Sequence, residues 1–380
     1  MGTRRKLGWV ATLYFAEGLP FGLVLDTLPL YLRLHGVSLA AIGFASLLRL
    51  PWTLKVLWAP LVDRLGARRW WISGALAVVA ITLALLPLVP PAPAGVALLG
   101  LLLVFTTAAA TQDVAIDAYT IELLAPGEEG VANGVRVSAY RAALIVAGGV
   151  LVGFAARAGW GAAWGAAAAV AACLALAVLW LPAVARRPQT TVEWLATFRA
   201  WVARPGSPGV FLFIFLYKLG DTAMGPMVKP FWVDRGLSLE EIALISTTLG
   251  VVASVAGALV GGVLTSRWGI FRGLWTLGLL QALSKLGYAA VAWTDAGRAG
   301  VYAASLLESF TGGLGTAAFL SFLMHICDKQ QAATQYAFLS ALFSLSGSLA
   351  GSVSGVGAGR LGYGAYFALT FLLALPAYAL

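Results

Sequence analysis

Charge is what this chain has least of. Only 11% of its 380 residues are Asp, Glu, Lys or Arg, against 60% hydrophobic, and mean hydropathy is +0.88. Such scarcity excludes an ordinary soluble domain. Cysteine is nearly absent too: Cys173 and Cys327 lie far apart, in or at the end of apolar runs, which argues against a disulfide and against a cysteine metal site. Hydrolase and nucleotide signatures are missing, with no HExxH, no GxSxG elbow and no P-loop. One Asp-x-x-x-Asp pair, Asp113 and Asp117, superficially resembles half of an intramembrane prenyltransferase site. Such a site needs a second acidic pair so that metal ions can bridge a diphosphate, and the chain has none. The expectation is therefore a protein without catalytic residues, metal or cofactor. The formal charge of +9 does not point to nucleic acid, because its cations sit in alternate loops rather than in a basic arm or patch.

What the chain has is apolar runs of membrane-spanning length. Twelve are expected, at about 8–33, 40–61, 70–90, 95–121, 131–157, 161–182, 208–233, 240–266, 271–293, 298–325, 332–359 and 363–380. The basic start resembles a signal peptide, but Glu17, Pro20 and Asp26 in the following run mark a retained first span. Thirteen Lys and Arg, from Arg4 to Lys329, fall in loops on the N-terminal side. Five (Arg33, Arg157, Arg235, Arg298, Arg360) fall on the other. That bias places both termini in the cytoplasm.

The chain also repeats itself. His35-Gly-Val-Ser-Leu-Ala-Ala-Ile42 returns as Arg235-Gly-Leu-Ser-Leu-Glu-Glu-Ile242, and Arg64-Leu-Gly66 returns as Arg267-Trp-Gly269. An even number of spans per half makes the repeats parallel, so the expected fold is all-α: two six-helix bundles, 1–185 and 208–380, with a site between them. In the linker 186–207, Thr190 and Glu193 form a capping-box pattern. Trp194, Phe198 and Trp201 share an apolar face, as in a short amphipathic helix on the inner membrane surface.

Polar residues inside the spans carry the functional expectation, since a charge facing lipid is expensive. Asp113 and Asp117 share a helix face with Thr106, Ala110 and Thr120. Glu17 precedes a kink expected at Pro20, and Asp26 lies nearer the other end of that span. The second span holds Arg49 and Lys55; the fifth holds Arg136 and Arg141. By residue count Glu17, Asp113 and Arg141 reach similar depths, which predicts a charge cluster among the first, fourth and fifth spans. Within it Asp113 and Arg141 form the titratable pair and Glu17 is the rival proton carrier; a purely structural salt bridge is the alternative. In the second half, Lys218, Asp221 and Lys229 fall on one stripe, Gln281, Ser284, Lys285 and Tyr288 on another, and Ser305, Glu308 and Thr311 on a third. Small-residue stripes (Gly250, Ser254, Gly257, Gly261; Ser340, Ser344, Gly347, Gly351) read as packing surfaces.

The loop holding Asp63, Arg64, Gly66, Arg68 and Arg69 resembles the signature between the second and third spans of the major facilitator superfamily, where it serves as a cytosolic gate. More closely, the sequence resembles the AmpG-type muropeptide permeases and the related acetyl-coenzyme A transporters. The resemblance rests on Tyr14-Phe-Ala-Glu-Gly-Leu-Pro20, Val56-Leu-Trp-Ala-Pro-Leu-Val-Asp-Arg64, Thr111-Gln-Asp-Val-Ala-Ile-Asp-Ala118, Tyr217-Lys-Leu-Gly-Asp221, Thr248-Leu-Gly250 and Ala333-Thr-Gln-Tyr-Ala-Phe-Leu-Ser-Ala341. It implies a proton-coupled symporter moving an amphipathic anion, such as a muropeptide-like sugar–peptide, across the inner membrane. An acyl-coenzyme A or other organic anion is the alternative cargo; an intramembrane enzyme or non-transporting receptor is remote. Small solute, protons and lipid are the expected partners of a monomer, with no nucleic acid. Long AmpG permeases carry extra C-terminal membrane segments that this sequence does not include. Independently of resemblance, Arg49, Lys55, Arg136, Arg141, Lys218, Lys229 and Lys285 stand against Glu17, Asp26, Asp113, Asp117, Asp221 and Glu308 within the spans, a balance that suits an anionic cargo.

Overall fold

A computed structural model describes residues 2–65, 67–91, 95–124, 128–184, 203, 205–294, 296–326 and 332–380. Among them there is helix at each of the twelve expected positions and no strand. We number these α1 Thr3–Leu34, α2 39–64, α3 Arg68–Leu88, α4 Val96–Leu123, α5 129–158, α6 Trp160–Val178, α7 Ser207–Asp234, α8 Leu239–Trp268, α9 Ile270–Trp293, α10 Gly297–His325, α11 332–361 and α12 363–379. Nine stretches of the described residues are long and apolar enough to cross a membrane. One of these, Ala341–Ala379, spans two helices divided at Gly362, where φ is +76°. The amphipathic helix expected in the linker falls mostly on 185–202 and 204, outside the described residues.

The internal repeat has a structural counterpart. α1 and α7 end in the same turn: Gly36 (φ +75°) and Gly236 (φ +74°) take the left-handed conformation that a residue with a Cβ resists. In the first copy Val37 N donates to Leu32 O and Gly36 N to Arg33 O. In the second, Leu237 N donates to Trp232 O and Gly236 N to Val233 O, so both are Schellman caps. Each leads into a serine N-cap: Ser38 accepts from Ala41 N and Ser238 from Glu241 N, the latter completed to a capping box by Glu241.

Contacts divide the chain into two compact units, Met1–Val37 with Leu48–Gln189, and Ser38–Leu47 with Thr190–Leu380. The first unit is built on a core that includes Leu13, Tyr14, Leu76, Ile116, Tyr119 and Val178. α2 is its irregular member. It alternates α-helical turns with 3₁₀ turns at Ala45–Arg49 and Lys55–Leu57, beside Pro51 and Pro60, each of which removes a backbone donor. The second unit is centred on Ile214, Tyr217, Leu277, Phe319 and Leu323. There the small-residue stripe of α8 packs on α10 so closely that a Cβ on Gly257 would lie 1.9 Å from Phe310 O. The short segment Ser38–Leu47 packs on α11 within this unit, with Gly43 against Gly355.

Candidate functional site

In the first unit α1, α2, α4 and α5 bring six polar side chains together. Helical spacing sets Tyr14 and Glu17 one turn apart on α1, and Asp113 and Asp117 one turn apart on α4. The carboxyl oxygens of Glu17, Asp113 and Asp117 lie within 4.8 Å of one another. Lys55, carried on a 3₁₀ turn of α2, donates to Asp113, which is buried. Arg136 of α5 pairs with Asp117 at 3.2 Å and lies over the Tyr14 ring, 4.4 Å from its centroid, while Tyr14 donates to Asp117 Oδ1 at 2.6 Å. Glu17 Oε2 is buried and has no hydrogen-bond partner. Carboxyls this close could share a cation, and for two of the three that place is taken by Lys55 and Arg136.

Asp113 and Arg141 do not form the expected pair. Arg141 is exposed, and the cation on Asp113 is Lys55. Arg136 faces the cluster, and five residues turn a helix by about 500°, so Arg141 points about 140° away from it. Counting depth along a span ignores this rotation. Lys55 and Tyr14 stand outside the charge cluster expected from the first, fourth and fifth spans. The spacing of Tyr14 one turn before Glu17 was the available signal. Asp26 lies elsewhere, against Gly148 where α1 and α5 both widen into π-type turns.

Of the loop signature, Gly66 and the side chains of Asp63 and Arg64 lie outside the described residues. Arg68 is buried and ties three elements together, donating to Val62 O at 2.7 Å and pairing with Glu122 of α4 at 3.1 Å. Arg69 is half-buried, its guanidinium 5.5 Å from the Trp70 ring.

The second unit holds a different cluster. Asp221 of α7 meets Lys285 of α9 at 2.6 Å and Lys218 at 3.6 Å. Lys218 also donates to Gln281 Oε1 at 2.6 Å and to Thr316 Oγ1 at 3.0 Å; Lys285 donates to Gln281 O at 3.2 Å. Both lysines are buried, as is Gln281. Glu308 of α10 stands within electrostatic reach of all three charges. Lys229 is buried eight residues further along α7, about 12 Å of helix rise from Asp221. Ser305 joins Tyr288 at 2.8 Å.

The family model described as Major Facilitator Superfamily matches residues 10–351. An anhydromuropeptide permease of Escherichia coli (strain K12) is 32% identical over 374 residues, covering 95% of this chain and 76% of that protein. A Rickettsia conorii protein named for the AmpG transporters is 26% identical over 394 residues, covering 98% of this chain and 94% of its own. Among solved structures, the nucleoside transporter NupG superposes with a TM-score of 0.76 at 17% identity, covering 100% of this chain and 99% of that one. A bacterial homologue of the human lysosomal transporter Spinster, inward-facing and unoccupied, gives 0.76 at 17%, covering 99% and 95%. At such identities the solved structures speak for the fold alone.

Proposed function

The chain belongs to the major facilitator superfamily of transporters, and from that premise we propose that it is a proton-coupled carrier of amphipathic anions of the sugar–peptide class. The supporting observation for coupling is a charge count. Three carboxyls crowd within 4.8 Å while two cations pair with them, so with every group ionised one negative charge stands uncompensated inside the membrane. Glu17, whose Oε2 has no partner, is the acid that takes and releases the proton; Asp113 and Asp117 are each paired with a cation, Lys55 and Arg136. Alternate hydration of the cluster as the carrier opens to either side would load and unload it.

Support for an anionic cargo comes from the second unit, where two buried lysines, Lys218 and Lys285, converge on the one carboxylate Asp221. The Escherichia coli relative is named for anhydromuropeptides, and we carry that substrate class to this chain. We place it in the inner membrane as a monomer with both termini cytoplasmic, the halves 1–185 and 208–380 moving about the linker 186–207. Single cysteines at Ser38 and Gly95 should then react with impermeant reagents from outside, and those at Gln189 and Gln330 should not.

Proteoliposomes loaded with and without a pH gradient test the coupling. Glu17→Gln should abolish gradient-driven accumulation of an anhydromuropeptide while counterflow exchange persists. Full gradient-driven accumulation by Glu17→Gln would remove Glu17 from the proton path.

A further inference from the structure

Inside a membrane span an arginine normally has a counterion, because its desolvated charge is costly. Four span cations follow that rule: Lys55, Arg136, Lys218 and Lys285 each meet a carboxylate. Arg49 does not. It is half-buried on the 3₁₀ turn of α2, no carboxylate among the described residues pairs with it, and its buried Nε has no hydrogen-bond partner. What surrounds it is aromatic. The guanidinium carbon lies 6.0 Å from the centroid of Phe21. Phe21 meets Trp52 edge-on at 5.4 Å and Tyr140 at 6.1 Å. Phe21, Trp52 and Tyr140 are themselves only half-buried, so the group is open on one side.

The sequence builds this group in three steps. Phe21 follows Glu17 by one helical turn, so the aromatic group adjoins the carboxyl cluster along α1. Arg49 and Trp52 are three residues apart on α2 and share a face. α5 delivers Tyr140 because α1 and α5 approach closely: a Cβ on Gly18 would sit 2.8 Å from Tyr140 O. A cation held by aromatic faces alone, at a distance near the limit of a useful cation–π contact, keeps the donors of its terminal nitrogens available. Planar carboxylate is the partner that such a fork fits with two parallel hydrogen bonds.

Resting on the anion-carrier reading above, we propose that Arg49 is the receptor for the cargo's carboxylate, and that Phe21, Trp52 and Tyr140 form the platform for the ring next to it. The ligand class is thus a carboxylic acid one or two bonds from a sugar or other flat-faced ring. This arrangement also links cargo to proton. The bound carboxylate would lie by Phe21, one helical turn from Glu17 along α1, so the cargo's charge adjoins the carboxyl cluster.

The test measures initial uptake into proteoliposomes of two probes: an anhydromuropeptide with free carboxylates, and the same compound with its carboxylates capped as methyl amides. Arg49→Gln should raise KM for the free acid about ten- to a hundredfold, the range of a charge-assisted bond, and leave KM for the capped compound unmoved. Equal uptake of the free acid by Arg49→Gln and the wild-type protein would overturn the proposal while leaving the carrier reading intact. Should wild-type protein move neither the muropeptide nor an acyl-coenzyme A thioester, the carrier reading fails and the Arg49 role with it. If Arg49→Gln does not fold, Arg49→Lys decides: a several-fold rise in the acid-to-amide KM ratio supports the fork, and an unchanged ratio rejects it. Trp52→Leu should weaken both probes alike, because it removes the platform and not the charge.

Discussion

The two units solve the problem of buried charge in opposite ways. In the second, two lysines converge on one carboxylate, and Gln281 and Thr316 take up further ammonium donors of Lys218. In the first, three carboxyls converge on two cations, and one carboxyl oxygen of Glu17 goes without a partner. A carboxylate held by two ammonium groups resists protonation, because the proton would displace an ion pair in a poorly hydrated place. A cluster with more carboxyls than cations has a member whose protonation displaces none.

The contrast is most exposed at its two aspartates. Asp221→Asn strands Lys218 and Lys285 and should be the most damaging change, removing about 3–5 kcal/mol. Asp113→Asn leaves Lys55 beside Glu17 and Asp117, either of which can answer it, and should lose clearly less. Thermal unfolding of both variants in one detergent checks the order; a larger loss for Asp113→Asn would break the comparison. Next comes Gly315→Ala. A Cβ there would lie 2.0 Å from Gln281 Oε1, so the amide must turn away from Lys218. The expected loss is about 1–3 kcal/mol, seen as a lower midpoint, and Gln281→Leu should reproduce it.

Smaller effects sharpen the first cluster. Tyr14→Phe removes the phenol that donates to Asp117 and should lower stability by about 0.5–1.5 kcal/mol. Glu17→Gln should come near zero, or raise the midpoint, since it removes an acid without a counterion of its own and strands no cation. A drop as large as that of Asp221→Asn would mean that Glu17 is structurally paired after all. At the small end, Ser238→Ala should cost about 1 kcal/mol and Ser38→Ala somewhat less, because only Ser238 belongs to a capping box. Equal losses would show that the reciprocal bond from Glu241 adds nothing.

Much of this was legible from residues alone, and the reason is that the signals were local. Helix count follows from apolar run length, and the caps at Gly36 and Gly236 follow from a glycine and a serine at fixed offsets in both halves. Which spans hold charges is equally plain, because hydropathy marks every exception. The stripes Lys218–Asp221 and Gln281–Lys285 were visible too, since spacing of three or four residues defines one helix face. Partner choice was not. Asp113 meets Lys55 because α2 departs from regular helix beside its prolines, and Arg141 is lost to the cluster because α5 is rotated to present Arg136. Arg49 stands without a counterion for the same kind of reason, as a relation among three helices. Sequence determines which charges enter the membrane, since each entry is a local exception to hydropathy. Only the tertiary structure decides which of them meet, because helix rotation and irregular turns are set by packing against the neighbours.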